Sequence, residues 1–268
     1  MRVVILAPVD NSPFSRSVAA LCRVEPGVEV AGIIVRKILN PARLHSELRR
    51  DGVRLIRKIW KKLVLASNDG IANDERGFNH LTDEAGVGST RLSVFAKRHN
   101  IPCIKVDDHN DERSLSGLRE MRPDVVAFTG GGIIRKPLLD ASGQGIFNTH
   151  MGMLPLYRGM DVVEWPILEG RTNDPGLGVT LHFMDPGIDT GPIAFRREVP
   201  IHAGDSIEQL RRRFEPTMVD LMLEGIRAVR DQQLPLEIQA EEDGRQYFIM
   251  HPRFYDEVRR GLKRIAGS

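Results

Sequence analysis

The stretch Asp124-Val125-Val126-Ala127-Phe128-Thr129-Gly130, running on into Gly131 and Gly132, decides the fold. It is a short continuous apolar run with glycines behind it. A strand covered on both faces reads this way, because neither face is left to alternate with polar residues. Residues 3–8, 28–35 and 102–106 repeat the pattern, and helical candidates fill the intervals at 14–23, 89–98 and 112–122. Strand–helix–strand alternation of this kind predicts an α/β open sheet with right-handed crossovers. Downstream, Gly145-Ile146-Phe147-Asn148-Thr149-His150 is an apolar strand with a polar end. The runs 179–184 and 193–199 are joined by the tight acidic turn Asp185-Pro186-Gly187-Ile188-Asp189-Thr190-Gly191-Pro192. That spacing predicts a hairpin, which makes the sheet mixed.

Composition sets bounds on function. Net charge is +2 over 268 residues, so no general nucleic-acid footprint is expected. Apolar content of 41% with 28% charged residues is that of a soluble globular protein. No run approaches the ~20 apolar residues of a membrane span. The N-terminal Met1-Arg2-Val3-Val4-Ile5-Leu6-Ala7-Pro8 reads as a first strand and not as a signal peptide, so the expected compartment is the cytoplasm. Cys22 and Cys103 each sit among apolar residues and are expected to be buried, inert thiols. No His/Cys cluster has metal-ligand spacing, and no metal is expected.

In an open α/β sheet, ligands bind beyond the carboxyl ends of the strands. His150 ends one strand, the turn 185–189 follows another, and Gly130-Gly131-Gly132 follow a third, so the sheet rule gathers all three in one crevice. Asn148 lies two residues before His150 and hence on the same strand face. An amide, an imidazole and carboxylates are the set needed to hold an oxyanion while an amine attacks a carbonyl. The glycine triplet permits close backbone approach to a flat ring but lacks the spacing of a dinucleotide fingerprint. The loop Val9-Asp10-Asn11-Ser12-Pro13 opens a helix and offers either an anion site or a cap. Ala203-Gly204-Asp205-Ser206 starts a long helix, with Asp205 or Ser206 as N-cap and Leu210, Phe214, Met218, Leu221 and Ile226 as its apolar stripe. Residues 234–268 read as a polar linker, a strand at 246–250 and a basic terminal helix. Eight basic residues between Arg43 and Lys62 surround a helical apolar stripe, readable as a solvated face, a phosphate-rich acceptor site or a membrane surface.

Asn148-Thr149-His150, then Leu154-Pro155-Leu156-Tyr157-Arg158-Gly159, then Gly178-Val179-Thr180-Leu181-His182-Phe183-Met184 with Asp189, resembles the folate-dependent formyltransferase family. Its members include glycinamide ribonucleotide transformylase, methionyl-tRNA formyltransferase and nucleotide-sugar N-formyltransferases. The resemblance spans residues 1–205 and is most specific over 123–200. One departure stands out: Met151-Gly152-Met153 replaces the family's usual Pro-Ser-Leu.

The resemblance implies a Rossmann-like mixed, mainly parallel open sheet with flanking helices plus a small C-terminal appendage. It divides the chain into a catalytic domain at 1–205, with a basic helical insertion at about 40–75, and the long helix and appendage at 206–268. It implies 10-formyltetrahydrofolate as formyl donor and Asn148, His150 and Asp189 as catalytic residues. His150 and Asn148 would hold the formyl oxygen, and Asp189 would raise the imidazole pKa or accept the amine's proton. Gly131, Gly132, Ile133, Ile134 and Arg135, with Asp185, would line the folate site, although Asp185 also reads simply as turn structure. His182 is open between support of the site and packing. Asp10, Asn11, Ser12, Tyr157, Arg158 and Trp165 are candidates for the acceptor, and Asp161, Glu164 and Trp165 read equally as the first turn of a helix. The expected partner is a small-molecule amine, phosphorylated or nucleotide-linked, and best a nucleotide-linked amino sugar. Only the short segment 234–268 follows the long helix, which counts against tRNA. Hydrolysis of the formyl donor, a methionyl-tRNA enzyme and a non-catalytic binding module are the alternatives, and a homodimer is among the expectations.

Overall fold

The computed structural model describes residues 1–37, 77–130 and 132–266. The basic segment 43–62 was expected to be helical; it lies outside the described residues. In chain order the elements are β1 (Arg2–Ala7), α1 (Pro13–Val24), β2 (Glu29–Arg36), α2 (Phe78–Glu84), α3 (Leu92–Arg98), β3 (Cys103–Val106), α4 (Glu112–Met121), β4 (Val125–Phe128), α5 (Lys136–Asp140), β5 (Ile146–His150), β6 (Tyr157–Gly159), α6 (Glu164–Leu168), β7 (Gly178–Phe183), β8 (Ile193–Glu198), α7 (Ile207–Arg230), β9 (Arg245–Tyr247) and α8 (Tyr255–Ala266).

Seven strands form one sheet in the order β3-β2-β1-β4-β5-β7-β8. The first five run parallel, and β7 and β8 are antiparallel to their neighbours, as the hairpin spacing predicts. Alternation along β1 shows how the sheet is buried on both sides. Val3, Ile5 and Ala7 enter the core beneath α1, α3 and α7, while Val4 and Leu6 enter the opposite core beneath α4 and α5. Every one of these five residues is fully buried, which is why the run shows no polar alternation.

The helix ends follow the sequence closely. Ser206 caps α7 in a capping box with Gln209, at 3.1 and 2.9 Å. Gly225 lets this helix lie directly on the sheet, since a Cβ there would collide with Leu181 and approach Phe147 to 3.3 Å. Phe214, Met222 and Ile226 share one core with Val3, Phe147 and Leu181. Helix α7, which follows the division expected at 205/206, thus contributes to the main core. The strand predicted at 246–250 is β9, three residues long, and it pairs in parallel with β6 as a separate two-stranded sheet. That pairing seats the appendage on the segment just after His150.

Candidate active site

His150 closes β5 and is 7% exposed. Its Nε2 lies 2.7 Å from the Tyr157 carbonyl, which can only accept, so this nitrogen carries the proton. Nδ1 then faces Asp189, with 3.4 Å to Oδ2. That separation is long for a charge-assisted hydrogen bond: on the neutral ring Nδ1 is the acceptor nitrogen, and it can donate only when the ring is protonated.

Across the sheet, the antiparallel register sets Asn148 opposite His182 and His150 opposite Thr180. His182 donates Nδ1–H to the Phe183 carbonyl at 2.8 Å, so Nε2 of the neutral ring is an acceptor. Asn148 Nδ2 donates to it at 3.1 Å, and Asp189 Oδ1 stands 3.5 Å away. The carboxylate of Asp189 thus sits between two imidazoles. The three residues expected to act together do come together, and His182 is the link that joins Asn148 to Asp189.

Asp189 also accepts the Gly159 N–H at 2.9 Å. Burial pushes its carboxyl up, but the His150 charge, the His182 ring and the Gly159 amide outweigh that and hold it at about 2. For His150, burial lowers the pKa and Asp189 draws it back up, with the net direction downward.

The loop after His150 is built around a small residue. A Cβ on Gly152 would lie 2.8 Å from His150 Nε2, 2.9 Å from the Tyr157 carbonyl and 3.0 Å from Val162. The backbone on either side is fixed by Thr180, whose hydroxyl donates to the Gly152 carbonyl at 2.7 Å and accepts the Leu154 N–H at 3.1 Å.

Several candidate ligand residues have other partners. Tyr157 is 1% exposed, stacks on Tyr247 at 5.1 Å and donates its hydroxyl to Glu169 at 2.7 Å. It serves the site through its carbonyl and not its ring. Arg158, 4% exposed, binds Gln239 and the Ala240 carbonyl. Trp165 donates to the Phe248 carbonyl at 3.1 Å. Glu164 is paired twice with Arg211, at 2.8 and 2.7 Å, and Asp161 takes Met250 N–H and the Tyr255 hydroxyl. All of these side chains join the appendage or α7 to the sheet, a use that short-range spacing does not reveal.

In the first loop, Ser12 caps α1 through Ser15, and Asp10 is engaged by Ser93 and Lys105, the last at 2.7 Å; only Asn11 remains exposed. Asp185 closes its own turn through Thr190 and Gly187. In the glycine loop, Gly131 lies outside the described residues, and Gly130 and Gly132 adopt φ of +109° and +112°. Ile133 is largely exposed but Ile134 is buried in the core, so one isoleucine and not two faces outward. Asn110, unforeseen from sequence, fixes this loop by donating to the Ile133 carbonyl at 2.8 Å and accepting the Arg135 N–H at 2.7 Å. Arg135 itself is exposed.

With this geometry in place, a comparison with known proteins is decisive. Residues 84–226 match the family described as Formyl transferase. The chain belongs to the formyl transferase family. It is 31% identical over 145 residues to the methionyl-tRNA formyltransferase of Syntrophus aciditrophicus, a match covering 54% of this chain and 46% of that protein. The chain spans about half the length of the curated relatives it matches. Its fold resembles a sugar N-formyltransferase from Shewanella sp FDAARGOS_354, with a TM-score of 0.56 and 18% identity over 97% of this chain and 87% of that one. It also resembles glycinamide ribonucleotide transformylase 1 from Symbiobacterium toebii, with a TM-score of 0.55 and 20% identity over 88% and 91% of the two chains. At these identities the likeness to the solved structures is one of fold. Among the described residues of this formyl transferase family member, no helix is long and apolar enough to cross a membrane.

Proposed function

We propose that the protein transfers a formyl group from 10-formyltetrahydrofolate to a primary amine, with Asn148, His150 and Asp189 as catalytic residues. One observation carries this reading: an ionised, largely buried carboxylate stands between two imidazoles, one of them bonded to the Asn148 amide, at the carboxyl end of β5. The second Asn148 N–H is a donor for the formyl oxygen as the amine adds and negative charge develops on it, and His150 Nδ1 becomes a second donor in the protonated ring that Asp189 favours. Asp189, held at about 2, stays ionised across the neutral range and stabilises positive charge on His150 and on the amine as it adds.

The loop at 130–135 suits a flat donor ring. Two glycines in left-handed backbone conformations leave its surface without side chains, and Ile133 supplies an exposed apolar face. In this reading Gly132, Ile133 and Arg135 hold the ring, while Ile134 supports the loop from the core.

For the acceptor we propose a nucleotide-linked amino sugar. The fold of the Shewanella sugar N-formyltransferase extends over 97% of this chain, appendage included, and this supports the choice. A second reading, methionyl-tRNA, draws on the 31% identity to the Syntrophus enzyme. Consumption of 10-formyltetrahydrofolate, followed by absorbance, separates the two when nucleotide-linked amino sugars and charged initiator tRNA are supplied in turn. Consumption without any amine would make the protein a hydrolase. His150→Ala and Asp189→Asn are expected to abolish turnover while folate binding stays within about tenfold, because each removes a group that acts on developing charge. Wild-type turnover in either variant would sink the assignment.

A further inference from the structure

The segment after α7 turns back along the sheet. Glu237 exchanges two backbone hydrogen bonds with Ile193, at 2.8 and 2.9 Å, and so forms a short antiparallel extension beside β8. Arg196 of β8 grips the same residue by a two-point ion pair at 2.7 and 2.6 Å.

Two residues further on, this pairing delivers the Gln239 side chain to the β7–β8 turn. Gln239 Nε2 donates to the Asp189 carbonyl at 3.1 Å and to the Gly191 carbonyl at 2.6 Å. Its Oε1 accepts from Arg158 Nε and Nη2, each at 3.2 Å. Both donors and the acceptor of one amide are therefore used, two of them on the turn that carries Asp189. The neighbour of Arg158, Gly159, donates its N–H to the Asp189 carboxylate. Asp189 is gripped twice, by its side chain from β6 and by its backbone from the appendage.

That backbone needs a grip. Asp189 sits at φ +54°, in the left-handed region that residues other than glycine populate sparsely, and such a conformation persists only where surrounding contacts over-determine it. We propose that Gln239 is a positioning residue, fixing Asp189 and through it His150, so that the C-terminal appendage is a working part of the active site. The kinetic consequence rests on the formyl-transfer reading above; the structural consequence does not.

The test uses the full chain with two substitutions. Gln239→Glu keeps size and the bond to Arg158 but sets an oxygen against two carbonyls. Gln239→Ala removes both sets of contacts. Both are expected to lower kcat by about tenfold or more, with the KM for 10-formyltetrahydrofolate changed less than about threefold, because catalysis is sensitive to sub-ångström placement.

The second readout is the titration of the His150 ring by NMR. The titratable groups facing that ring are Asp189 from the β7–β8 turn and His182 from β7. Loosening Asp189 withdraws the influence that raises the His150 pKa, so Gln239→Ala should titrate at lower pH than wild type, moving toward Asp189→Asn; in Gln239→Glu the added carboxylate acts the other way, and that variant is judged by kcat. A tether that merely holds the linker down would leave this midpoint in place. An unchanged kcat with an unmoved titration overturns the proposal. Should Gln239→Ala fail to fold, the isosteric Gln239→Glu decides it. Should wild type consume no formyl donor with any amine, the formyl-transfer reading falls, and the titration alone judges the clamp.

Discussion

Position 152 shows how closely single residues are fitted around the His150 ring. Gly152 is needed for space, since any Cβ there presses on His150 Nε2, on a backbone carbonyl and on Val162 together. Gly152→Ala is expected to push the imidazole off the Tyr157 carbonyl and cut kcat by about a hundredfold, the cost of ångström-scale misplacement. Steady-state kinetics with a crystal structure of the variant checks this, and an unmoved ring with full turnover contradicts it. A second residue outside the site makes a pH prediction. His109 is 1% exposed, donates Nε2–H to the Ala7 carbonyl at 3.2 Å and leaves Nδ1 buried without a partner. Burial first, then the Arg36 charge, lowers its pKa from 6.5 to about 4. The unfolded chain therefore takes up this proton before the folded one does. Stability contributed by neutral His109 is complete above about pH 6.5, falls as pH drops toward 4, and is flat below, a loss of about 3 kcal/mol. Denaturant melts of His109→Gln should lack that fall; the same slope in both proteins would refute it. The pairing of Asn148 with His150 was legible because both residues lie on one strand. His182 stayed open between support and packing because only the antiparallel register puts it opposite Asn148.

At the scale of elements, burial on both faces made the parallel strands readable almost to the residue, since nothing but apolar side chains fits there. The short pieces were not. Helices α2 and α5 have seven and five residues, too few to show a period, and β6 has three; β9, also three, showed only as part of a longer strand expected at 246–250. Such elements form because their neighbours hold them: Gly159 can pair with Tyr247 only at φ +97°, where a Cβ would collide with the Tyr247 carbonyl. The contact of α7 with the sheet is decided by a similar absence. In an exposed helix, Gly→Ala would stabilise by ~1 kcal/mol. At Gly225 the added methyl meets Leu181 and Phe147, both fully buried and unable to swing away. Gly225→Ala is expected to lose stability by about 1–3 kcal/mol from overpacking, despite the propensity gain. A raised melting temperature would show that the helix can lift off the sheet at no cost.

Over the whole molecule, the sequence reading treated the C-terminal segment as an accessory, because its contacts are long-range and carry no local signature. The structure joins it to the site at three levels. Tyr247 stacks on Tyr157 at 5.1 Å and packs at a tilt against Trp165 at 5.3 Å, and its hydroxyl shares Glu169 with Tyr157. Its carbonyl accepts the Met160 N–H at 3.0 Å, and the Gly159 N–H beside it goes to Asp189. The same tyrosine residue that supplies the ring beneath this stack, Tyr157, offers its carbonyl to His150. Loss of the Tyr247 ring therefore removes one wall of the strand that orients both the imidazole and the carboxylate. Truncating a buried aromatic typically costs about 3–5 kcal/mol, and here the cost should be felt locally first, since Tyr247 packs in a small cluster with Tyr157 and Val162, apart from the two cores of the seven-stranded sheet. Tyr247→Ala is expected to speed amide exchange at Gly159 and Met160 by more than an order of magnitude, with the amides of β1 and β4 little changed, and kcat should fall in parallel. If exchange instead rose evenly across β1 and β4, the appendage would be part of one cooperative unit with the sheet. If Gly159 stayed protected, the strand that carries the Asp189 contact would be holding itself in place.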